Sequence, residues 1–299
     1  MSFQPSLPDK WNNSAFQIVI YIRTHANEFE LRHALRSTWV KEARELGMRV
    51  TFAMGTPCAR QEQVLVDREA DLMQDMLVFD SFYEHYHNLS LKTREIMRWH
   101  VRNVLAGSDP NDTKSVFMWV NSDVVVFPRY LWHYTLQRNL LNQSGVVHGE
   151  CTCTGACTGR NGPKPIRHMF SRMFMPAHVY PHARYPHYCV GYSVLFSPGC
   201  IRRLLLSADS KSVTYLMDNW IDDITYTGIF AQQQQLKLNH SNAFLNFYQR
   251  RGCGRCVAMH LQRLQPMSYR RKIAALRMQY TRYLRYRALI WDWNKTWSV

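Results

Sequence analysis

The chain has 299 residues, of which 46% are hydrophobic and 13% aromatic. This excludes an intrinsically disordered protein and allows one large α/β domain or two small ones. A net charge of +15 would fit a nucleic-acid binder, but residues 250 to 299 hold 12 of the 37 Lys/Arg and one of the 22 Asp/Glu. The remaining body is nearly balanced and carries no nucleic-acid motif, so no nucleic-acid partner is expected.

Residues 1–14, opening MSFQPSLPDKWN, read as a stalk or linker remnant. "FQIVIYI" then reads as a buried strand, "EFELRHALRSTWVKEARELG" as an amphipathic helix ending at Gly47, and "RVTFAMG" as a second strand. A charged helix over about 61–74, the strand "DMLVFD", a helix over about 90–105 and the strand "FMWVN" follow. Strands alternating with helices of this length predict βαβ units and a mostly parallel sheet flanked by helices. The second half is irregular, with Pro/His/Tyr-rich loops from Lys164 to His187, and no clean boundary divides the body over residues 15–268. Residues 269–299 read as a basic amphipathic helix, with Ile273, Leu276, Tyr280, Leu284 and Trp291 near helical spacing. Such a helix can dock on its own domain, lie on an anionic membrane or contact a partner.

One polar triplet stands out. Asn121-Ser122-Asp123 ends an apolar run, and in open α/β sheets ligands sit at the carboxyl ends of the strands. The same residues are also common turn formers. Arg32 and Arg36 lie four apart on one helix face, where they hold either the phosphates of a ligand or acidic side chains. Asp222-Asp223 in "NWIDDITYTG" reads as a general-base candidate or as an acidic helix start.

Six sequons, at Asn12, Asn88, Asn111, Asn142, Asn239 and Asn294, exceed the one or two that ordinary composition gives on the order of this length. Eight cysteines agree with an oxidising lumen. Cys151, Cys153, Cys157, Cys253 and Cys256 also leave a zinc cluster open, although their spacing matches no standard finger. No apolar segment of signal or span length occurs near the N-terminus, so a lumenal protein would need an anchor outside this sequence.

Six segments in order resemble the glycosyltransferase family of β-1,3-galactosyl- and β-1,3-N-acetylglucosaminyltransferases, over about residues 16–267. They are "RHALRSTWV", "VTFAMG", "EADLMQDMLVFDSFYEHYHNLSLKT", "YPHYCVGYSVLFS", "DDITYTG" and "CVAMHLQRLQPM". The resemblance implies a single GT-A domain that moves a hexose, galactose first, from a UDP-sugar to a glycan hydroxyl in β-1,3 linkage with inversion. Transfer of N-acetylglucosamine or N-acetylgalactosamine, or a degenerate glycan-binding homologue, are the alternatives. It further implies Mn²⁺ or Mg²⁺ held by Asp123 and His260, with donor contacts from Arg32, Arg36, Asn121, Ser122 and Asp123. Asp223 is implied as the base beside Asp222, and the place of action as the Golgi lumen, in a type II membrane protein acting on glycoproteins or glycolipids. Where the family usually writes three aspartates, this chain has Asn121-Ser122-Asp123, and its glycine segment continues Tyr192-Ser193-Val194 after Gly191.

Overall fold

The computed structural model describes residues 17–106, 115–137, 151–159, 162–197, 199–245, 256–261 and 269–291. Strand β1 (Gln17–Arg23) is followed by α1 (Phe29–Arg36), α2 (Trp39–Glu45), β2 (Arg49–Thr56), α3 (Arg60–Met73), β3 (Met76–Tyr83), α4 (Leu89–Asn103) and β4 (Ser115–Asn121). Next come β5 (Val124–Val126), α5 (Pro128–Gln137), β6 (Thr152–Cys157), β7 (Cys189–Phe196), α6 (Cys200–Asp209) and α7 (Val213–Asp218). A π-helical segment (Asp223–Phe230), α8 (Ala231–Gln233), β8 (Lys237–His240), β9 (Phe244–Leu245), β10 (Ala258–His260) and α9 (Tyr269–Trp291) complete the order.

The central sheet runs β3-β2-β1-β4-β7-β6-β8. The pairs β3/β2, β2/β1, β1/β4 and β6/β8 are parallel, while β7 runs antiparallel to both β4 and β6. This is the mostly parallel α/β sheet that the alternating strand and helix signals predict. A small sheet, β5-β10-β9, flanks it.

The continuous apolar runs follow from burial on both faces. Ile18, Ile20 and Ile22 of β1 and Val116, Met118 and Val120 of β4 join one core with Leu31, Leu35, Trp39 and Val66. Val19, Tyr21, Phe117 and Trp119 point the other way, into a core with Met97, Ile201, Leu204, Tyr226 and Phe230. With a side-chain period of two, a strand covered on both sides needs apolar residues at every position.

The single helix expected over "EFELRHALRSTWVKEARELG" is two. Thr38 leaves helical backbone at φ −119°, ψ −117°, and its hydroxyl donates to the Ala34 carbonyl at 2.7 Å. Gly47, at φ +80°, ends the second helix in the left-handed conformation that glycine takes at little cost.

Between described residues, the disulfides Cys151–Cys200 and Cys157–Cys189 tie β6 to the start of α6 and to β7. They correct the zinc alternative, because Cys151 and Cys157 are covalently paired while Cys153 is a buried free thiol. Cys253 lies outside the described residues. The basic tail docks on its own domain: Leu276 and Tyr283 join the core of α1 and β5, and the Tyr280 and Tyr283 hydroxyls donate to Glu42 at 3.0 and 3.2 Å.

Candidate active site

The parallel register places Arg23, the last residue of β1, beside Asn121, the last of β4. Because β7 runs antiparallel to β4, with Val120 opposite Ser193, its first residues, Cys189 to Gly191, arrive at this same edge. The polar triplet therefore stands at the carboxyl ends of the parallel strands, where the helix-flanked sheet leaves its crevice.

Arg23 organises this edge, and only 3% of its side chain is exposed. Its Nη1 donates to Asp222 and to the Thr93 hydroxyl, its Nε and Nη2 to Asn121 Oδ1 at 3.2 and 2.7 Å, and its Nη2 to the Gly191 carbonyl. Thr93 also donates to Asp222 at 3.1 Å. A guanidinium is a rigid fork of five donors, and here it joins four structural elements at once. The sequence reading missed Arg23. Its signal was a lone charge closing the apolar run Ile18–Ile22, a place where burial requires partners.

Asp222 and Asp223 are adjacent but differently held. Asp222 is buried in the Arg23 ion pair. Asp223 is half-buried and receives two backbone N–H groups, Gly191 at 3.1 Å on Oδ2 and Ile224 at 2.9 Å on Oδ1. Burial and the neighbouring Asp222 charge push its pKa up to about 7, against the lowering effect of those N–H groups and Arg23. A Cβ at position 191 would fall 2.8 Å from the Asp223 Cβ, so only glycine lets this carboxylate reach the β7 backbone. Asp223 also opens a π-helical turn, a local irregularity frequent at functional sites. Met175, Tyr185, Trp220, Ile221 and Ile224 pack together beside it, with Tyr86 and Tyr188 against them.

Asp123 follows the triplet's strand end and is buried. His260 pairs with Val124 across β5 and β10, and the Leu261 N–H donates to the Asp123 carbonyl at 2.9 Å, so His260 arrives beside Asp123. His260 Nε2 lies 3.3 Å from Asp123 Oδ1, and its ring stacks on Tyr192 with centroids 4.9 Å apart and planes at 2°. The other oxygen, Oδ2, faces Lys272 Nζ of α9 at 3.5 Å. Burial alone would raise the Asp123 pKa, but His260 and Lys272 outweigh it and hold it down to about 2.

The implied divalent ion can be tested against this donor set. Asp123 and His260 are brought together as that assignment requires. However, Asn121 Oδ1 is committed to Arg23, and an ammonium already faces Asp123 Oδ2. Among the described residues no group of three His, Cys, Asp or Glu converges. A hard dication at a diphosphate takes one or two protein carboxylates, with phosphate and water filling its other positions, and among the described residues Asp123 is the one carboxylate here, with Lys272 already at its Oδ2.

Arg32 and Arg36, expected at the donor, spend their guanidinium groups here on acidic side chains. Arg32, fully buried, grips Glu69 with Nε at 3.0 and 3.1 Å and with Nη2, and caps the His25 and Ala26 carbonyls. Arg36 bonds Glu69 at 2.6 Å and Asp75 at 3.0 and 2.8 Å. Their positions satisfy the acidic-side-chain reading. Lys92 is likewise structural, donating to Glu84 at 2.6 Å and to the Thr24 carbonyl at 2.9 Å. Of the sequon asparagines, Asn88 and Asn239 are partly exposed; Asn12, Asn111, Asn142 and Asn294 lie outside the described residues.

The fold and the strand-end cluster define an α/β protein with polar side chains gathered at the carboxyl ends of its parallel strands, among them one carboxylate whose pKa burial and a neighbouring charge push up. The chain belongs to the Galactosyltransferase family, whose family model matches residues 30–242. It is 30% identical over 216 residues to mouse (Mus musculus) beta-1,3-galactosyltransferase 1, covering 72% of this chain and 61% of that protein. It is 25% identical over 231 residues to a zebrafish (Danio rerio) lactosylceramide 1,3-N-acetyl-beta-D-glucosaminyltransferase, covering 75% of this chain and 56% of that one. Among solved structures, a glycosyltransferase involved in glycosylation of the major capsid of PBCV-1 aligns over 87% of this chain and 98% of its own, at 11% identity and a TM-score of 0.39.

Proposed function

We propose that this chain is an inverting β-1,3-glycosyltransferase that moves a hexose, galactose first, from a UDP-sugar to a glycan hydroxyl, with Asp223 as general base. The observation that carries this reading is the pair of carboxylates at the strand ends, one locked by Arg23 and the other raised to about 7. In the transfer the acceptor oxygen bonds to the anomeric carbon as the bond from that carbon to the diphosphate oxygen breaks. The electron pair leaves with UDP, and the acceptor proton passes to an Asp223 oxygen. A base with a pKa near the working pH suits this task. Arg23 and Thr93 hold Asp222 and are positioning residues. Asn121, with its oxygen held by Arg23, meets the nucleotide through its side-chain N–H groups, and Ser122 lines the same edge.

The family matches include proteins named for galactose and for N-acetylglucosamine transfer, so the N-acetylhexosamine alternative stands beside galactose. Disulfides Cys151–Cys200 and Cys157–Cys189 support action in an oxidising compartment, the Golgi lumen, on glycoprotein or glycolipid acceptors. No helix among the described residues is long and apolar enough to cross a membrane. The test incubates the purified chain with UDP-galactose, UDP-N-acetylglucosamine and UDP-N-acetylgalactosamine against a panel of glycan acceptors, and maps product linkage and anomeric configuration. A β-1,3-linked product supports the reading; UDP binding without any transfer across the panel would favour the degenerate homologue.

A further inference from the structure

A diphosphate donor needs positive charge beside it, both to bind and to leave. At this crevice the charge comes from the polypeptide itself. Asn121 and Ser122 carry no carboxylate, Asn121 Oδ1 accepts two bonds from Arg23, and the remaining acid of the triplet, Asp123, faces the Lys272 ammonium at Oδ2, with the His260 ring beside Oδ1. A dication placed on Oδ2 would have to displace the Lys272 ammonium.

The element that delivers Lys272 points the same way. The first turn of α9 reads Tyr269-Arg270-Arg271-Lys272 and contains no acidic residue. Helix N-termini carry partial positive charge from unsatisfied N–H groups, so basic residues there have the wrong sign unless an anion joins them. Arg270 and Arg271 are exposed, whereas Lys272 is only 23% exposed and is held over Asp123 by the docking of α9. That docking rests on buried Leu276 and on the Tyr280 and Tyr283 bonds to Glu42. An ammonium has three N–H groups, and Asp123 takes one of them.

We propose that Lys272 stands in for the divalent cation: Asp123 anchors its ammonium, and Lys272 with the first turn of α9 receives the diphosphate of a nucleotide donor, so that the nucleotide binds without added metal. The inference rests on the donor reading above and concerns the same edge of the sheet. It makes α9, which precedes no other described element, part of the binding site and not an appendage.

The test is calorimetric titration of UDP into the metal-stripped chain, once in EDTA and once with Mn²⁺. UDP is expected to bind in EDTA with an affinity within about threefold of that in Mn²⁺. Lys272→Met, which keeps the apolar stem, is expected to weaken binding in EDTA about tenfold or more, the loss of one charge-assisted hydrogen bond, and Lys272→Arg to restore most of it. Lys41→Ala, which removes an equal charge from the exposed side of α2, should leave the affinity unchanged, with circular dichroism confirming the fold of each variant. UDP binding that appears only with Mn²⁺ overturns the inference and leaves the donor reading intact. So does wild-type affinity of Lys272→Met in EDTA. Absence of UDP binding in both buffers removes the donor reading and the inference together.

Discussion

The Arg23 guanidinium and the Asp222 carboxylate meet across 199 positions of sequence, both almost entirely buried. The ion pair occupies the Asp222 carboxylate, and Asp223, its neighbour, is the carboxylate whose proton affinity is raised. Removing one member of a buried pair costs roughly 3–5 kcal/mol, because the other charge stays buried. Asp222→Ala should therefore lower the midpoint of urea unfolding substantially. Asp223→Asn should unfold close to the parent yet lose about 10² to 10⁴ in kcat, with UDP affinity retained. Equal loss of stability in both variants, or near-parental turnover of Asp223→Asn, would refute this division of labour.

Activity and stability should respond to pH in opposite directions. With the folded pKa of Asp223 at about 7, kcat/KM should fall about tenfold per pH unit below that value. The raised pKa means that the folded chain binds a proton the unfolded chain has lost, so the contribution of Asp223 to stability is full below its ordinary carboxylate range. It is lost as pH rises through 7. A comparison of Asp223→Asn with the parent between pH 5 and 8, by turnover and by urea unfolding, checks both slopes. A flat parental pH profile of kcat/KM below 7 would exclude Asp223 as the base.

The low pKa of Asp123 has the reverse sign. Held down to about 2 by His260 and Lys272, it contributes stability that is present above the ordinary carboxylate range and lost as pH falls through 2. Asp123→Asn should flatten the acid limb of the unfolding curve. An unchanged acid limb would mean that neither His260 nor Lys272 holds this carboxylate.

Arg32 should behave as a structural residue. Arg32→Ala strips Glu69 of one of its two guanidinium partners and the His25 and Ala26 carbonyls of their donor, at a cost of roughly 1–3 kcal/mol, while the fraction that remains folded should bind UDP within about twofold of the parent. A variant of parental stability that no longer binds UDP would return Arg32 to the donor site.

Compartment is open to a mass-spectrometric check. Expressed behind a signal peptide, the chain should carry enzymatically removable glycan at partly exposed Asn88 or Asn239. In the native state Cys58, exposed and free, should alkylate rapidly, and Cys153, buried and free, only after unfolding. A chain without glycan, with Cys151, Cys157, Cys189 and Cys200 all alkylated, would contradict lumenal folding.

How far the site could be read ahead of the structure depended on the range of each interaction. The triplet was legible because a strand end is a local feature: apolar residues at every position up to Val120, then Asn121-Ser122-Asp123. Asp222-Asp223 was legible as a pair, but not which member does what. That distinction comes from Arg23, whose single charge at the end of β1 gave no hint of its four partners. Arg32 and Arg36 were legible as one helix face, and their two possible anions could not be separated until Glu69 and Asp75 were seen against them.

By itself the sequence determined the first four strands, their alternation with helices and the burial of that part of the sheet on both faces, because side-chain period and apolar pattern act over a few residues. Tertiary structure alone decided the chemistry of the edge. Arg23 finds Asp222 across 199 positions, Lys272 finds Asp123 across 149, and Arg32 finds Glu69 across 37. Charge pairing in a buried site is set by distance in space and by the exclusion of water. Neither quantity is encoded by the spacing of residues along the chain.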